Sequence, residues 1–316
     1  MAVRRRQMEF RELNYLITIA EERSISKAAE KLFMAQSSLS QSLQSMEAEL
    51  GGKLFIRTST GVRPTQAGEI MLERARKMLV DYRQVRDIIQ DMEELKAGQV
   101  EFGISTFRGS YLLPGALRSF KRLYPQIHVE ITEANSMALE QLLIEGRLDL
   151  GLVVLPLTKL KSDVRLLMKD ELVITAEADH PVLECARETV RNGQTVFYVE
   201  LEDTIQFDYI LSDYDTIMGA MARREFSRRG LVPRVVNGNL TAPFAAAMAL
   251  SGLGLSFTYA SCREPLKGAR YLSIGKEGVF LDLALASPPG HYRSKAALAL
   301  ERQLIRVLGK GGGAGR

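Results

Sequence analysis

Hydrophobic positions in the first 65 residues recur at the spacing of short helices. A first helix is predicted from the apolar positions Phe10, Leu13, Leu16, Ile17 and Ala20. A second is predicted over residues 27–32, with Ser26 as its N-cap, and a third over residues 36–50. Two short apolar segments on either side of Gly61 then predict a small β-hairpin. The pattern is that of two helices joined by a tight turn and followed by a hairpin.

A longer helix is predicted over residues 66–95. Its apolar positions step alternately by four and three residues: Met71, Ala75, Met78, Tyr82, Val85, Ile89 and Met92. This repeat averages 3.5 residues, which is the seam of a coiled coil. Because an isolated rod would expose the seam to water, we predict that it pairs with a second copy of the chain. The alternative is a long helix that packs on its own domain.

Strands and helices alternate from residue 98 onwards. The predicted strands cover residues 100–104, 129–133, 149–154, 171–176, 197–201, 208–211, 235–236, 255–259 and 281–286. The predicted helices cover residues 113–123, 138–145, 217–229, 243–250 and 294–308. The alternation predicts parallel sheets with helices on both faces. Two such lobes joined by a double crossover would hold a ligand cleft at the carboxyl ends of their strands.

Composition narrows the function classes. The 316 residues exceed one ordinary core, and 46% hydrophobic with 25% charged residues is typical of globular domains. The cysteines, Cys185 and Cys262, suit neither a disulfide framework nor a cysteine-rich zinc site. The three histidines stand in no catalytic motif, so we predict no enzyme activity, no metal and no cofactor.

The uncharged run over residues 235–262 is interrupted by Pro243 and glycines, and no apolar segment follows the basic start, so we predict a cytoplasmic protein without membrane contact.

The positive charge is densest near the N-terminus, where residues 1–65 carry ten basic and seven acidic side chains. Two helices followed by a basic hairpin are typical of DNA-binding proteins, in which the second helix of the motif reads base edges. The predicted base-reading residues are Gln36, Ser37, Ser38, Ser40, Gln41 and Gln44. The predicted phosphate contacts are Lys27, Lys31, Lys53, Arg57 and Arg63. The alternative is a helical bundle with a solvated serine and glutamine face.

An ordered set of motifs runs along the chain. In the N-terminal part they cover residues 24–32, 36–47, 49–51, 54–57 and 64–68, and in the C-terminal part residues 146–151, 180–181 and 251–255. In this order they resemble the LysR-type transcriptional regulators over nearly the whole chain. The resemblance implies an α+β multidomain protein: an N-terminal winged helix-turn-helix, a long linker helix, and a C-terminal two-lobed α/β periplasmic-binding-like domain that senses a small molecule.

Domain bounds follow from the compositional zones and this resemblance. We predict the DNA-binding domain over residues 1–65 and a dimerising coiled-coil linker helix over residues 66–97. The first effector-binding lobe would comprise residues 98–165 and 270–308, and the second residues 166–269. The glycine-rich residues 309–316 would form a mobile tail.

The resemblance also implies partners and effector contacts. The partners are double-stranded promoter DNA with inverted repeats, RNA polymerase, a small-molecule effector, and the chain itself as a dimer of dimers. The implied effector contacts are Ser105, Thr106, Phe107, Asn135, Ser136, Leu155, Ser212 and Thr241. Free N–H groups at a helix N-terminus favour an anion, so a carboxylate is expected. Acidic residues near the second lobe's positions, Asp208, Asp213 and Asp215, leave a zwitterionic or cationic effector open.

The sequence departs from the family pattern in the third helix. Ala35 stands where many relatives have Ser or Thr, so that helix lacks a side-chain N-cap. Gln41 and Gln44 stand where Arg is common, so a guanine-reading arginine is absent and electrostatic affinity depends on the flanks. The rival function is a solute-binding protein or an enzyme without regulatory DNA binding.

Overall fold

The computed structural model describes residues 8–59, 61–92, 98–162, 164–263 and 269–309. The chain divides into two compact units, Met1–Ile89 and Gln90–Arg316. Of the predicted mobile tail, all but Gly309 lies outside the described residues. The finer domain bounds remain a prediction.

The N-terminal unit contains the predicted short helices and hairpin. Helices α1, α2 and α3 span Phe10–Glu22, Ile25–Lys31 and Gln36–Leu50; strands β1 and β2 span Phe55–Thr58 and Gly61–Pro64; and helix α4 spans Gln66–Met92. Ser24, not the predicted Ser26, caps α2, because its Oγ accepts the N–H of Lys27 at 3.4 Å. As predicted, Ala35 begins α3 without a side-chain cap. Gly51 ends α3 in the left-handed conformation, at φ 73°.

A buried carboxylate fixes the hairpin to α3. Glu47 accepts the N–H groups of Leu54 at 2.9 Å and Phe55 at 3.3 Å, and it pairs with Lys53 Nζ at 2.6 Å. On the other side, the hydroxyl of Thr65 donates to the carbonyl of Lys53 at 2.6 Å. The hairpin is therefore held by both α3 and the start of α4, and its position relative to α3 is fixed by hydrogen bonds.

The C-terminal unit contains the alternating strands and helices. Strands β3 to β8 span Gly98–Ile104, Ile127–Glu133, Leu150–Leu155, Val164–Glu177, Arg187–Arg191 and Gln194–Val199. Strands β9 to β13 span Asp208–Ser212, Arg234–Leu240, Ser256–Tyr259, Ala269–Ile274 and Val279–Ala286. Helices α5 to α10 span Thr106–Leu123, Ser136–Ile144, Leu201–Thr204, Ile217–Arg228, Ala242–Leu250 and Lys295–Leu308.

Strand β6 runs through both halves of this unit. Its residues 164–172 pair with β13, which in turn pairs with β5, and β3 and β4 continue the sheet in the first half. Its residues 172–177 pair with β11 and β12 in the second half, where β8 and β7 continue the sheet. The parallel direction is confirmed for β3 with β4 and β5 and for β9 with β10. It is wrong for β13 and β6, because these crossover strands run antiparallel to their neighbours.

Several elements of the C-terminal unit differ from the prediction. Helix α5 begins at Thr106, seven residues before the predicted start, and contains Pro114 at an exposed position. The hairpin of β7 and β8 and the strand β12 were not predicted as such. Strand β7 carries charged residues such as Arg187 and Glu188 at exposed positions, so it lacks the apolar alternation that marks a half-buried strand.

A second buried carboxylate makes the stability of the C-terminal unit depend on pH. Glu140 in α6 accepts the N–H groups of Thr158, Lys159 and Leu160, with the shortest distance, 2.8 Å, to Lys159. Burial raises the pKa of this carboxyl, but the hydrogen bonds from Lys159, Leu160 and Thr158 outweigh that effect, so its pKa lies below the ordinary value. The stabilisation is therefore present above the unfolded-state pKa and lost as pH falls through the folded-state pKa.

We expect Glu140→Gln to destabilise the C-terminal unit by about 2 kcal/mol at neutral pH, because an amide nitrogen would face backbone donors. Urea unfolding at neutral and acidic pH measures this, and the difference between the two proteins should shrink as pH falls. Glu133→Gln, an exposed change at the end of β4, is the control. A constant difference at all pH values would contradict the role of the ionised carboxylate.

Candidate nucleic-acid interface and ligand site

One face of α3 is polar, uncharged and exposed. Leu39, Leu43 and Met46 pack into the core of the N-terminal unit. The opposite face carries Gln36, Ser37, Ser38, Gln41 and Gln44, all exposed, with Ser40 half-buried among them. The Gln36 amide nitrogen donates to Ser40 Oγ at 3.1 Å. The six predicted base-reading residues thus share one surface that offers both hydrogen-bond donors and acceptors.

The five predicted phosphate contacts are exposed but differ in their partners. Within the described ranges, Lys27, Arg57 and Arg63 form no ion pair with a carboxylate. Lys31 pairs with Glu22 at 2.8 Å, and this hydrogen bond raises the pKa of the lysine. Lys53 is bound to the buried Glu47. Three of the five cations are therefore directly available to an anionic partner. Lys31 and Lys53 would have to share or exchange their carboxylate partners.

Sequence reasoning missed Phe33, in the turn between α2 and α3. Its side chain is 97% exposed, and its φ of 53° is in the left-handed region. A bulky residue is uncommon there, because its Cβ approaches the following carbonyl oxygen. The sequence did offer a signal for this conformation, because the tight turn of a helix-turn-helix motif often contains glycine and Phe33 stands in that turn here.

The exposed stripe on α4 is shorter than predicted. Met78, Tyr82, Val85, Ile89 and Met92 are all exposed. Met71 packs against the core of the N-terminal unit, and Ala75 is fully buried. Ala75 therefore cannot line a surface for a second copy, and the candidate seam begins at Met78. The ring of Phe10 in α1 lies 4.9 Å from that of Tyr82, centroid to centroid, which extends the apolar surface onto α1.

The predicted effector contacts of the first half lie at the carboxyl ends of three parallel strands. Ser105 follows β3 and begins α5, with a hydroxyl that does not cap the helix. Thr106 is exposed and Phe107 buried in the first turn of α5. Asn135 follows β4 and caps α6 by accepting the N–H of Ala138 at 2.9 Å; Ser136 opens that helix, and Leu155 ends β5.

The remaining two contacts lie together in the second half. Ser212 ends β9, and Thr241 follows β10; the two strands are adjacent, with Asp213 N–H donating to Leu240 O at 2.8 Å. Arg223 of α8 donates to the carbonyl of Ser212 at 2.7 Å. The eight predicted contacts therefore form two groups, one at the strand ends of each half. Among the described residues, no hydrogen bond joins the groups.

A buried arginine, also missed from the sequence, lies in the first turn of α5. Arg108 is 4% exposed, its Nε is 3.7 Å from Asp170 Oδ2, and its guanidinium carbon lies 3.7 Å from the centroid of the Tyr259 ring. Burial raises the pKa of Tyr259, and the charge of Arg108 partly offsets this. The hydrophobic periodicity of the sequence cannot predict the burial of Arg108, because that burial depends on contacts with β6 and β11, far along the chain.

Metal binding, a membrane-spanning helix and a reactive cysteine were each considered for the described part of the chain. No group of three or more His, Cys, Asp or Glu side chains there could hold a metal ion. The helices described there include none that is both long and apolar enough to cross a membrane. Burial raises the pKa of the Cys262 thiol to about 12, so the thiol is protonated at neutral pH.

Two family models match the chain. The model of the "Bacterial regulatory helix-turn-helix protein, lysR family" matches residues 10–69, and that of the "LysR substrate binding domain" matches residues 93–309. The nitrogen assimilation regulatory protein nac of Escherichia coli (strain K12) is 29% identical over 309 residues, which is 95% of each chain.

Solved structures share the fold. A full-length variant of OxyR from Pseudomonas aeruginosa has a TM-score of 0.66 at 24% identity, over 95% of this chain and 98% of its own. Full-length CbnR in complex with its target DNA has a TM-score of 0.67 at 20% identity, over 95% of this chain and 100% of its own. The helix-turn-helix, the α/β ligand-binding unit and both family matches agree with the resemblance seen in the sequence. The chain belongs to the LysR family of transcriptional regulators, DNA-binding proteins with an effector-binding domain, and is not an enzyme.

Proposed function

We propose that this regulator binds inverted repeats in promoter DNA as a dimer of dimers in the cytoplasm, and that a small-molecule effector controls its contact with RNA polymerase. The observation that carries the proposal is the exposed face of α3, which is polar and uncharged while basic residues lie on the neighbouring elements. Such a division is typical of proteins in which phosphate contacts position a recognition helix and base contacts specify the sequence. CbnR, which shares the fold, has been solved with its target DNA.

The chemistry of α3 favours sequence reading over general affinity for DNA. Gln41 and Gln44 can each form a bidentate pair with adenine, and serine hydroxyls can donate or accept at several base edges. Lys27, Arg57 and Arg63 supply the charge from α2 and the hairpin. The bonds of Glu47 to the hairpin keep the hairpin cations at a fixed distance from α3.

The exposed stripe on α4 supports the pairing of two chains, and with them of two N-terminal units, the DNA-binding heads of the pair. From Met78 to Met92 it covers a length of roughly 21 Å at 1.5 Å per residue. An exposed apolar surface of this kind, repeated every three and four residues, is the geometry of a coiled-coil partner site. Two paired heads would address the two halves of an inverted repeat.

The proposal predicts opposite effects of two substitutions at one position. Gln41→Ala is expected to weaken binding to a duplex selected by the unchanged protein about tenfold, which corresponds to about 1.4 kcal/mol. Gln41→Arg is expected to strengthen binding and to steepen the dependence of log K on log salt by about 1, because it adds one phosphate or guanine contact. Fluorescence anisotropy at several salt concentrations measures both effects.

Gln126→Ala, at an exposed position of the C-terminal unit, is the matched control and should leave affinity unchanged. The double change Gln36→Ala with Ser40→Ala removes two residues that bond each other on the same face. If neither this pair nor Gln41→Ala altered affinity or sequence preference, α3 would not be the recognition helix.

A further inference from the structure

A cavity of about 420 Å³ lies in the N-terminal unit, between the end of α1, the hairpin and the first half of α4. Its apolar wall includes Val62 and Leu72, which belong to the core of that unit. We call it the arginine cavity, because Arg23, Arg63 and Arg76 all line it. No residue of α3 and none of the C-terminal unit belongs to its described lining, so it is separate from the recognition face and from the effector contacts.

The three arginines of this cavity lack acidic partners. Among the described residues, Arg23, Arg63 and Arg76 form no ion pair with a carboxylate. Glu69 is the one acidic residue in the described lining, and it is exposed. The Nε of the half-buried Arg76 is shielded from water and donates to no acceptor in the described chain. The cavity therefore carries an excess of two positive charges and a buried donor without an acceptor.

The hairpin fixes the place of Arg23 at the cavity. Arg23 ends α1 in the left-handed conformation, at φ 49°, and its carbonyl accepts the N–H of Val62 at 2.8 Å. A Cβ at Gly61 would lie 2.5 Å from the same carbonyl oxygen, so the hairpin approaches this residue closely. A left-handed helix end usually holds glycine, because a side chain is strained there. Here it holds a long cation, at a fixed backbone distance from Arg63 on the hairpin.

A phosphate group matches this lining better than a carboxylate does. Guanidinium forks bind phosphate oxygens through paired N–H groups, which a lysine cannot do. A phosphate group carries up to about two negative charges and offers three strong acceptor oxygens, so it balances the excess charge of the cavity. A single carboxylate would leave a positive charge over. The cavity volume also lies within the range of small-molecule sites, so it has room for more than a bare ion.

We propose that the arginine cavity binds a phosphate group through Arg23, Arg63 and Arg76. Two sources share this chemistry: a phosphorylated small molecule in solution, and the DNA backbone, which Arg63 is also predicted to contact. A free compound would compete for Arg63 and so would link a second signal to DNA binding. A DNA phosphate would add Arg23 and Arg76 to the contacts that position α3. The site goes beyond the proposed function, since neither the recognition face nor the effector contacts take part in it.

The first measurement is the melting temperature of the full-length chain, with inorganic phosphate as the probe and sodium chloride at equal ionic strength as the reference. Phosphate at about 50 mM is expected to raise the melting temperature by about 4 °C. Because phosphate also stabilises proteins generally, the comparison between variants is decisive. Arg76→Gln should lose most of the shift, whereas Arg74→Gln, the same change at an exposed position of α4 outside the cavity, should keep it. Arg23→Gln, at an exposed position, replaces Arg76→Gln in both measurements if that variant does not fold.

The second measurement is the slope of log K against log salt for a selected duplex, from fluorescence anisotropy in a buffer without phosphate. If the DNA backbone supplies the phosphate, Arg76→Gln should make the slope shallower by about 1 relative to Arg74→Gln. If a free compound supplies it, the slope should stay the same while the melting shift is lost.

An Arg76→Gln protein that behaves as Arg74→Gln does in both measurements would overturn the proposal. The melting shift needs no DNA, and Gln41→Ala should leave it unchanged because α3 does not line the cavity. Failure of the proposed DNA reading by α3 is thereby distinguished from failure of this phosphate site.

Discussion

Val85→Asp combined with Ile89→Asp is expected to reduce the mass of the assembly in solution to half or less and to weaken operator binding more than about 100-fold. The two side chains are 54% and 59% exposed on α4, so the chain itself should still fold. In a coiled-coil seam, however, four carboxylates would be forced together in the paired helices. Linked heads gain between about 10² and 10⁴ in affinity from simultaneous binding, and separated heads lose that gain.

Sedimentation velocity and fluorescence anisotropy on the same samples measure the two effects. Val232→Asp, at an 87% exposed valine of the C-terminal unit, introduces the same charge away from α4 and should change neither. A double variant that keeps the mass and affinity of the unchanged protein would show that the stripe from Met78 to Met92 is not the pairing surface.

Gly68→Ala is expected to destabilise the N-terminal unit by about 3 kcal/mol and to reduce DNA affinity with it. A Cβ at position 68 would lie 2.0 Å from the carbonyl oxygen of Leu54 and 3.1 Å from Pro64 Cβ. The start of the helix is also bonded to the segment that leads into the hairpin, because Thr65 donates its hydroxyl to Lys53 O at 2.6 Å and its N–H to Leu54 O at 2.9 Å. The helix therefore cannot move away without losing these bonds. The clash thus separates α4 from the hairpin that carries Arg57 and Arg63.

Gly115→Ala is the matched control, because a Cβ there meets nothing within 4 Å in the middle of α5. It should stabilise the C-terminal unit by about 0.5 to 1 kcal/mol, as alanine does in a helix interior. Urea unfolding followed by circular dichroism measures both changes. An unchanged unfolding midpoint for Gly68→Ala would mean that α4 and the hairpin are not in the close contact described.

Local patterns predicted the N-terminal unit well. The three short helices, the hairpin around Gly61 and the long helix each have a signal within a few residues of sequence. The C-terminal unit depends more on distant partners. Periodicity cannot predict the directions of β6 and β13, because a period-2 pattern does not say which strands are neighbours in the sheet. It also cannot predict β7, because the exposed positions of that strand carry charged residues.

The candidate sites show the same division. Ser105, Asn135, Ser212 and Thr241, which the family resemblance implied as effector contacts, lie at strand ends, although their contact with an effector remains a proposal. Ala75 fits the repeat of the seam but is buried within its own chain. The prediction failed there because a hydrophobic repeat does not distinguish a position in an internal core from one on a partner surface. Arg108 and the backbone of Phe33 became visible only with tertiary contacts and dihedral angles.

The most direct test of the central claim is selection of duplexes from a random pool by the full-length protein. Two heads that each insert α3 into a major groove predict enrichment of an inverted repeat, with half-site centres one or more helical turns apart. The Val85→Asp, Ile89→Asp variant should enrich only a single half-site, and weakly. Enrichment of no sequence at all, or of the same single half-site by both proteins, would contradict paired reading by α3.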